Sequence, residues 1–114
     1  MNPRDLKWSG SEKKIARQAF KAALDATLAK IMGEFKARAA AVATVSEMWE
    51  IEDYLRQRRR DVDALFDYRY SELCFVFARL IHMGRLDDGQ LAGLSDEKLE
   101  IIRNSLRWLR KQEG

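Results

Sequence analysis

Apolar residues recur at three- and four-residue steps over most of the chain, and nowhere do they alternate with polar ones as on a strand face. The first run is Phe20, Leu24, Leu28, Ile31, Phe35, Ala39 and Val42. It forms a heptad-like seam and predicts a helix over about residues 11–43, capped by Ser11. Ala37, Ala39, Ala40, Ala41 and Ala43 raise its helix propensity and let a neighbouring backbone come close. Ser46 then predicts the cap of a second helix over about residues 47–66, with Glu47 suited to its first turn. The stripe of that helix reads Met48, Ile51, Leu55, then Arg58 and Arg59, then Val62 and Leu65. Arginine within an apolar seam carries a desolvation cost unless it is paired or held open for a partner. Trp49 and Asp53 lie one turn apart just upstream, and Arg56 and Arg60 continue their side of the helix. An aromatic, a carboxylate and several guanidinium groups on one surface form a candidate docking site for another protein.

Two long amphipathic helices joined by a short turn predict an antiparallel hairpin, a stalk over about residues 11–66. The rest, about residues 67–112, predicts a small helical head within the same single domain. The run from Phe66 to Ile81 is apolar on most faces towards its end and predicts a buried helix that stops near Met83, with Gly84 as its C-cap. The stretch beginning at Asp87 predicts a short helical turn. Ser95 predicts the cap of a last helix carrying Leu99, Ile102, Leu106 and Leu109. Tyr68, Tyr70, Phe75 and Phe77 read as head core, with any exposed member a candidate anchor for a partner. The hairpin offers more apolar face than the head can cover, so a second copy is expected: a homodimer that closes into a helical bundle. Pro3 is the lone proline, so nothing downstream interrupts a helix, and the expected fold class is all-α.

Composition narrows the function. At 114 residues and 46% hydrophobic, the chain suits one domain with an ordinary core. The 21 basic and 18 acidic residues leave a net charge of +3, too mixed in sign to imply a nucleic-acid field. No apolar stretch approaches the roughly 20 residues needed to cross a bilayer, and no membrane partner is expected. One cysteine, Cys74, gives no intrachain disulfide and fits a reducing cytoplasm. His82, the only histidine, precedes a helix end, where positive charge suits the dipole. There is no second histidine or cysteine for a metal site, no phosphate loop, no nucleophile elbow and no dinucleotide fingerprint. No enzyme activity and no cofactor are expected.

From Phe20 to about Leu106 the chain resembles the fluorescence recovery protein family of cyanobacteria and its bacterial homologues. The ordered set Met48-Trp49, Asp53-Tyr54-Leu55, Arg59, Asp63 and Asp67-Tyr68-Arg69 carries the resemblance, continued by Phe75-Val76-Phe77-Ala78, Leu80, Gly84 and Leu86. The resemblance implies a small helical homodimer with a stalk and a head and no covalent catalysis. It implies binding to the C-terminal domain of the photoactivated orange carotenoid protein, which hastens that protein's return to its resting orange form. By position, Trp49, Asp53 and Arg59 match stalk residues linked to dimerisation and activity, and Phe75 matches a head aromatic linked to partner binding. Two positions depart from the family pattern: Glu52 stands where histidine is expected, and Ile101 where lysine is. A charge inverted at a docking rim changes encounter rate and partner choice. A homologue with a different protein partner in a non-photosynthetic bacterium is therefore a rival reading. A small basic nucleic-acid-associated helical protein is a weaker one, lacking both a helix-turn-helix signature and interleaved aromatics.

Overall fold

The computed structural model describes residues 2–113. Four helices follow in order: α1 (Gly10–Ala41), α2 (Val45–Leu65), α3 (Leu73–His82) and α4 (Asp96–Gln112). Short 3-10 turns occupy Pro3–Asp5 and Asp88–Leu91, and no strand occurs among the described residues. The fold class is all-α, as the periodicity predicts.

Both long helices are capped two residues before the expected positions, at Ser9 and Thr44 instead of Ser11 and Ser46, for one reason. Ser9 Oγ accepts the Glu12 N–H at 3.2 Å while the Glu12 carboxylate accepts the Ser9 N–H at 3.0 Å. Thr44 likewise accepts the Glu47 N–H at 3.2 Å. A hydroxyl three residues before a glutamate satisfies orphan N–H groups at the helix start. Ser11 and Ser46 lack that spacing, and each falls inside its helix. The backbone from Phe66 to Glu72 is turn and coil, so the third helix starts at Leu73. It ends as expected: Gly84 takes φ +74°, and the Arg85 N–H returns to the Leu80 carbonyl at 2.8 Å.

α1 and α2 run antiparallel. Tyr54 on α2 meets Glu34 and Arg38 on α1, and farther along Val62 and Leu65 line a recess with Thr27 and Ile31. The molecule measures 55 × 33 × 22 Å. Its radius of gyration of 16.9 Å exceeds the roughly 13 Å of a compact chain this long, which reflects the projecting hairpin.

The core sits at one end. α3 supplies Leu73, Val76, Phe77, Ala78 and Leu80, α4 supplies Ile102 and Leu106, and the loop between them adds Leu86, Leu91 and Leu94. α1 contributes Ala16, Ala19 and Ala23, a face of small residues that lets its backbone lie close to the head. The expected seam of α1 is therefore not its buried face. Phe20 packs edge-on against Phe66 and Tyr68, but Leu28 and Met32 are exposed. Beyond Thr27 the two helices carry no fully buried residue, and α2 has none at all.

An ion pair locks α1 to α4. Glu12 and Lys98, both buried, meet at 3.1 Å. The Glu12 carboxylate also accepts the Ser95 N–H at 2.9 Å, and Lys98 Nζ donates to the Lys7 carbonyl at 2.7 Å. Burial raises the Glu12 pKa, but the Ser9 and Ser95 N–H groups and the Lys98 ammonium outweigh it and hold the carboxyl at about 2. Lys98 also lies over the Trp8 ring, 4.9 Å from its centroid. The N-terminal segment is thereby fastened across the head.

Candidate partner-binding surfaces

The hairpin presents apolar groups to solvent. On α2, Val45, Met48 and Leu55 share one face by their spacing and are exposed. Trp49 is 58% exposed, so it is no core residue of the single chain. On α1, Leu28 and Met32 lie one turn apart and are also exposed. Large apolar side chains clustered this way on a small protein mark an interaction surface.

The charged candidates surround them. Glu52 pairs with Arg56 one turn along α2, both at the surface. Asp53, Arg59 and Arg60 are exposed, and among the described residues none of them forms an ion pair within the chain. Within the chain Arg59 pairs with neither Asp53 nor Asp63. Of the two arginines in the seam, Arg58 is the one turned towards α1. It pairs with Asp61 at 2.8 Å, and its guanidinium lies 5.4 Å from the Tyr54 ring centroid.

Tyr54 is a contact the sequence pattern did not single out as functional. Its hydroxyl donates to Glu34, and Arg38 stacks 4.0 Å from its ring centroid. That hydrogen bond is the main cause holding the Glu34 carboxyl below its ordinary pKa. Burial, then the same bond, pushes the Tyr54 phenol up. The cluster ties the hairpin together where it lacks a core.

Phe75 stands apart from the stalk residues. It is half-buried on α3, outside the core cluster, at a groove of about 590 Å³ between α3 and α4. Phe77, two residues on, is the true core aromatic, with no exposure. Arg4, from the N-terminal turn, lies over the Phe75 ring at 4.9 Å and pairs with Glu72 at 2.8 Å. The opposite wall is Trp108, 61% exposed on α4. Sequence reasoning missed both flanks. One signal was available: Trp108 sits off the Leu99, Ile102, Leu106, Leu109 stripe, and an aromatic on the polar side of an amphipathic helix has no core to enter. Arg4 gave none, because its partner is 68 residues away.

Other chemistry is sparse. Burial pushes the Cys74 thiol up to about 11, which keeps it from acting as a thiolate. His82 Nε2 lies 2.9 Å from a Glu113 oxygen, tying the end of α3 to the end of α4. Among the described residues no three His, Cys, Asp or Glu side chains gather where a metal could bind. No described helix is long and apolar enough to cross a membrane.

Residues 8–105 match the family model described as photoprotection regulator fluorescence recovery protein. The fluorescence recovery protein of Synechocystis sp. PCC 6803 is 28% identical over 96 residues, 84% of this chain and 88% of that protein. The solved structure of the Fremyella diplosiphon fluorescence recovery protein superposes with a TM-score of 0.85 at 32% identity. That match covers 89% of this chain and 99% of the other. The Synechocystis structure gives a TM-score of 0.84 at 28% identity, with the same coverage. With nearly the whole helical frame shared in sequence and in space, the chain belongs to the fluorescence recovery protein family of photoprotection regulators.

Proposed function

We propose that this protein is a non-enzymatic regulator that works as a homodimer, binds the C-terminal domain of a photoactivated orange carotenoid protein and speeds its return to the resting form. The observation that carries the proposal is the uncovered hairpin: Leu28, Met32, Met48, Trp49 and Leu55 are exposed, and beyond Thr27 neither helix buries a residue. A second copy of the same hairpin covers such a surface with matching shape, and places unpaired Asp53 and Arg59 where they can meet across the junction. Phe75 on the head and the charged face bearing Glu52, Asp53, Arg56 and Arg60 are the partner contacts proposed with it.

The work required is physical rather than covalent. A regulator that binds an intermediate between the photoactivated and resting conformations more tightly than the starting state lowers the barrier between them. Each tenfold acceleration needs about 1.4 kcal/mol of such preference, well within reach of a few aromatic and guanidinium contacts. No cofactor takes part. The buried thiol of Cys74 suits a reducing cytoplasm.

The test mixes the protein with a photoactivated orange carotenoid protein and follows absorbance recovery in darkness. Recovery that quickens with added protein and then saturates supports the proposal; an unchanged rate overturns it. One observation favours a second reading, a related regulator with a different protein partner. Glu52 is exposed on the candidate face and carries a negative charge where the family pattern has histidine. Under that reading, Glu52→His restores acceleration that the native chain lacks.

A further inference from the structure

We propose that Arg4 is an internal stand-in for the partner: Glu72 and Phe75 form an arginine receptor on the head, and docking exchanges Arg4 for an arginine on an exposed segment of the partner protein. This assignment rests on Phe75 being a partner contact, and adds the chemistry that the contact accepts. Arg4 Nε donates to one Glu72 carboxylate oxygen at 2.8 Å, its terminal nitrogen reaches the other at 3.4 Å, and the guanidinium lies over the Phe75 ring. Two donors on a carboxylate above an aromatic face select a planar guanidinium over a compact ammonium.

The receptor is the more buried partner and the stand-in the more exposed. The Glu72 side chain is only 18% exposed, at the start of α3, whereas that of Arg4 is 55% exposed. Arg4 precedes Leu6 and Trp8, the residues that pack the N-terminal segment on the core, so it can leave while they stay. Once it leaves, the Glu72 carboxylate lacks its nearest cation and calls for another. Trp108 offers an apolar wall for whatever flanks the incoming arginine. Arg4 and Trp108 both lie outside residues 8–105, the span matched to the family model.

The test titrates N-acetyl-arginine methylamide, with the lysine analogue as control, into labelled wild-type protein, Arg4→Ala, and Arg4→Ala combined with Glu72→Gln. The Trp108 indole N–H is followed by NMR. Exposed ion-pair and cation–π contacts of this kind are worth about fivefold in affinity, so Arg4→Ala should bind the arginine probe about fivefold more tightly than wild type. Adding Glu72→Gln should abolish that gain, and the lysine analogue should bind more weakly than arginine. Equal arginine binding by wild type and Arg4→Ala, or a gain that survives Glu72→Gln, overturns the proposal. With the carotenoid protein's C-terminal domain, Arg4→Ala should tighten binding by a similar factor. No change there while Phe75→Ala weakens binding overturns the exchange. If instead the probe competes with Arg4 but Phe75→Ala leaves partner affinity intact, the arginine site stands and the partner role of Phe75 falls.

Discussion

Glu12→Gln tests the ion pair that fastens the head. The substitution removes the charge facing Lys98, which is 3% exposed and otherwise donates to the Lys7 carbonyl. It also leaves one amide oxygen to serve the Ser9 and Ser95 N–H groups that two carboxylate oxygens now share. Breaking a buried pair from one side costs about 3–5 kcal/mol, and the retained amide contacts bring the expected loss to roughly 2–4 kcal/mol. The effect must depend on pH. In the folded chain the carboxyl sits at about 2 against an ordinary value of 4.5, a depressed pKa. Its stabilisation is therefore fully present above about pH 4.5 and drains away as pH falls towards about 2. By about pH 3 roughly half of it is gone. Urea unfolding followed by circular dichroism, at one fixed protein concentration, gives the midpoint of each variant. The gap between wild type and Glu12→Gln should be wide near neutral pH and narrow clearly by about pH 3. A gap that does not change with pH, or one below about 1 kcal/mol at neutrality, refutes a role for the Glu12 charge.

Three further outcomes follow from the geometry. Met32→Glu places a charge on the exposed α1 stripe and should change single-chain stability by less than about 0.5 kcal/mol, yet sedimentation should shift from twice 13.3 kDa towards 13.3 kDa. Arg59→Leu should leave helicity intact by circular dichroism while weakening dimerisation or the acceleration of recovery; wild-type behaviour in both assays removes Arg59 from the proposed interface. Gly93→Ala forces φ +103° on a residue with a Cβ, and that atom would sit 2.6 Å from Ile15 Cδ1. Because the clash is with a flexible side-chain end, a loss of about 1–3 kcal/mol is expected, read as a lower urea midpoint at unchanged slope.

Helix class, helix order and the antiparallel hairpin were legible because they depend on local spacing: the steps of three and four from Phe20 to Val42 and from Met48 to Leu65 already demand helices. The expected caps are Ser11 and Ser46 instead of the observed Ser9 and Thr44, although Ser9 to Glu12 and Thr44 to Glu47 each keep the three-residue interval that a capping hydroxyl needs. Local spacing did not show which face of α1 meets the head, and the larger apolar stripe is not that face. Alanines form it instead, because close approach to the head favours Ala16, Ala19 and Ala23 over leucines that would hold the backbones apart.

The sequence by itself determined an all-helical chain with apolar faces in excess of its core, and its ordered motifs placed it in a family. Only the tertiary structure decided which side chains are neighbours. It turned Arg58 inward and left Arg59 exposed, exposed Trp49 and Trp108 while burying Phe77, and brought Arg4 to Glu72 and Glu12 to Lys98 across 68 and 86 positions. Helical periodicity is set by the backbone within one turn, whereas a contact between distant residues depends on how whole elements pack.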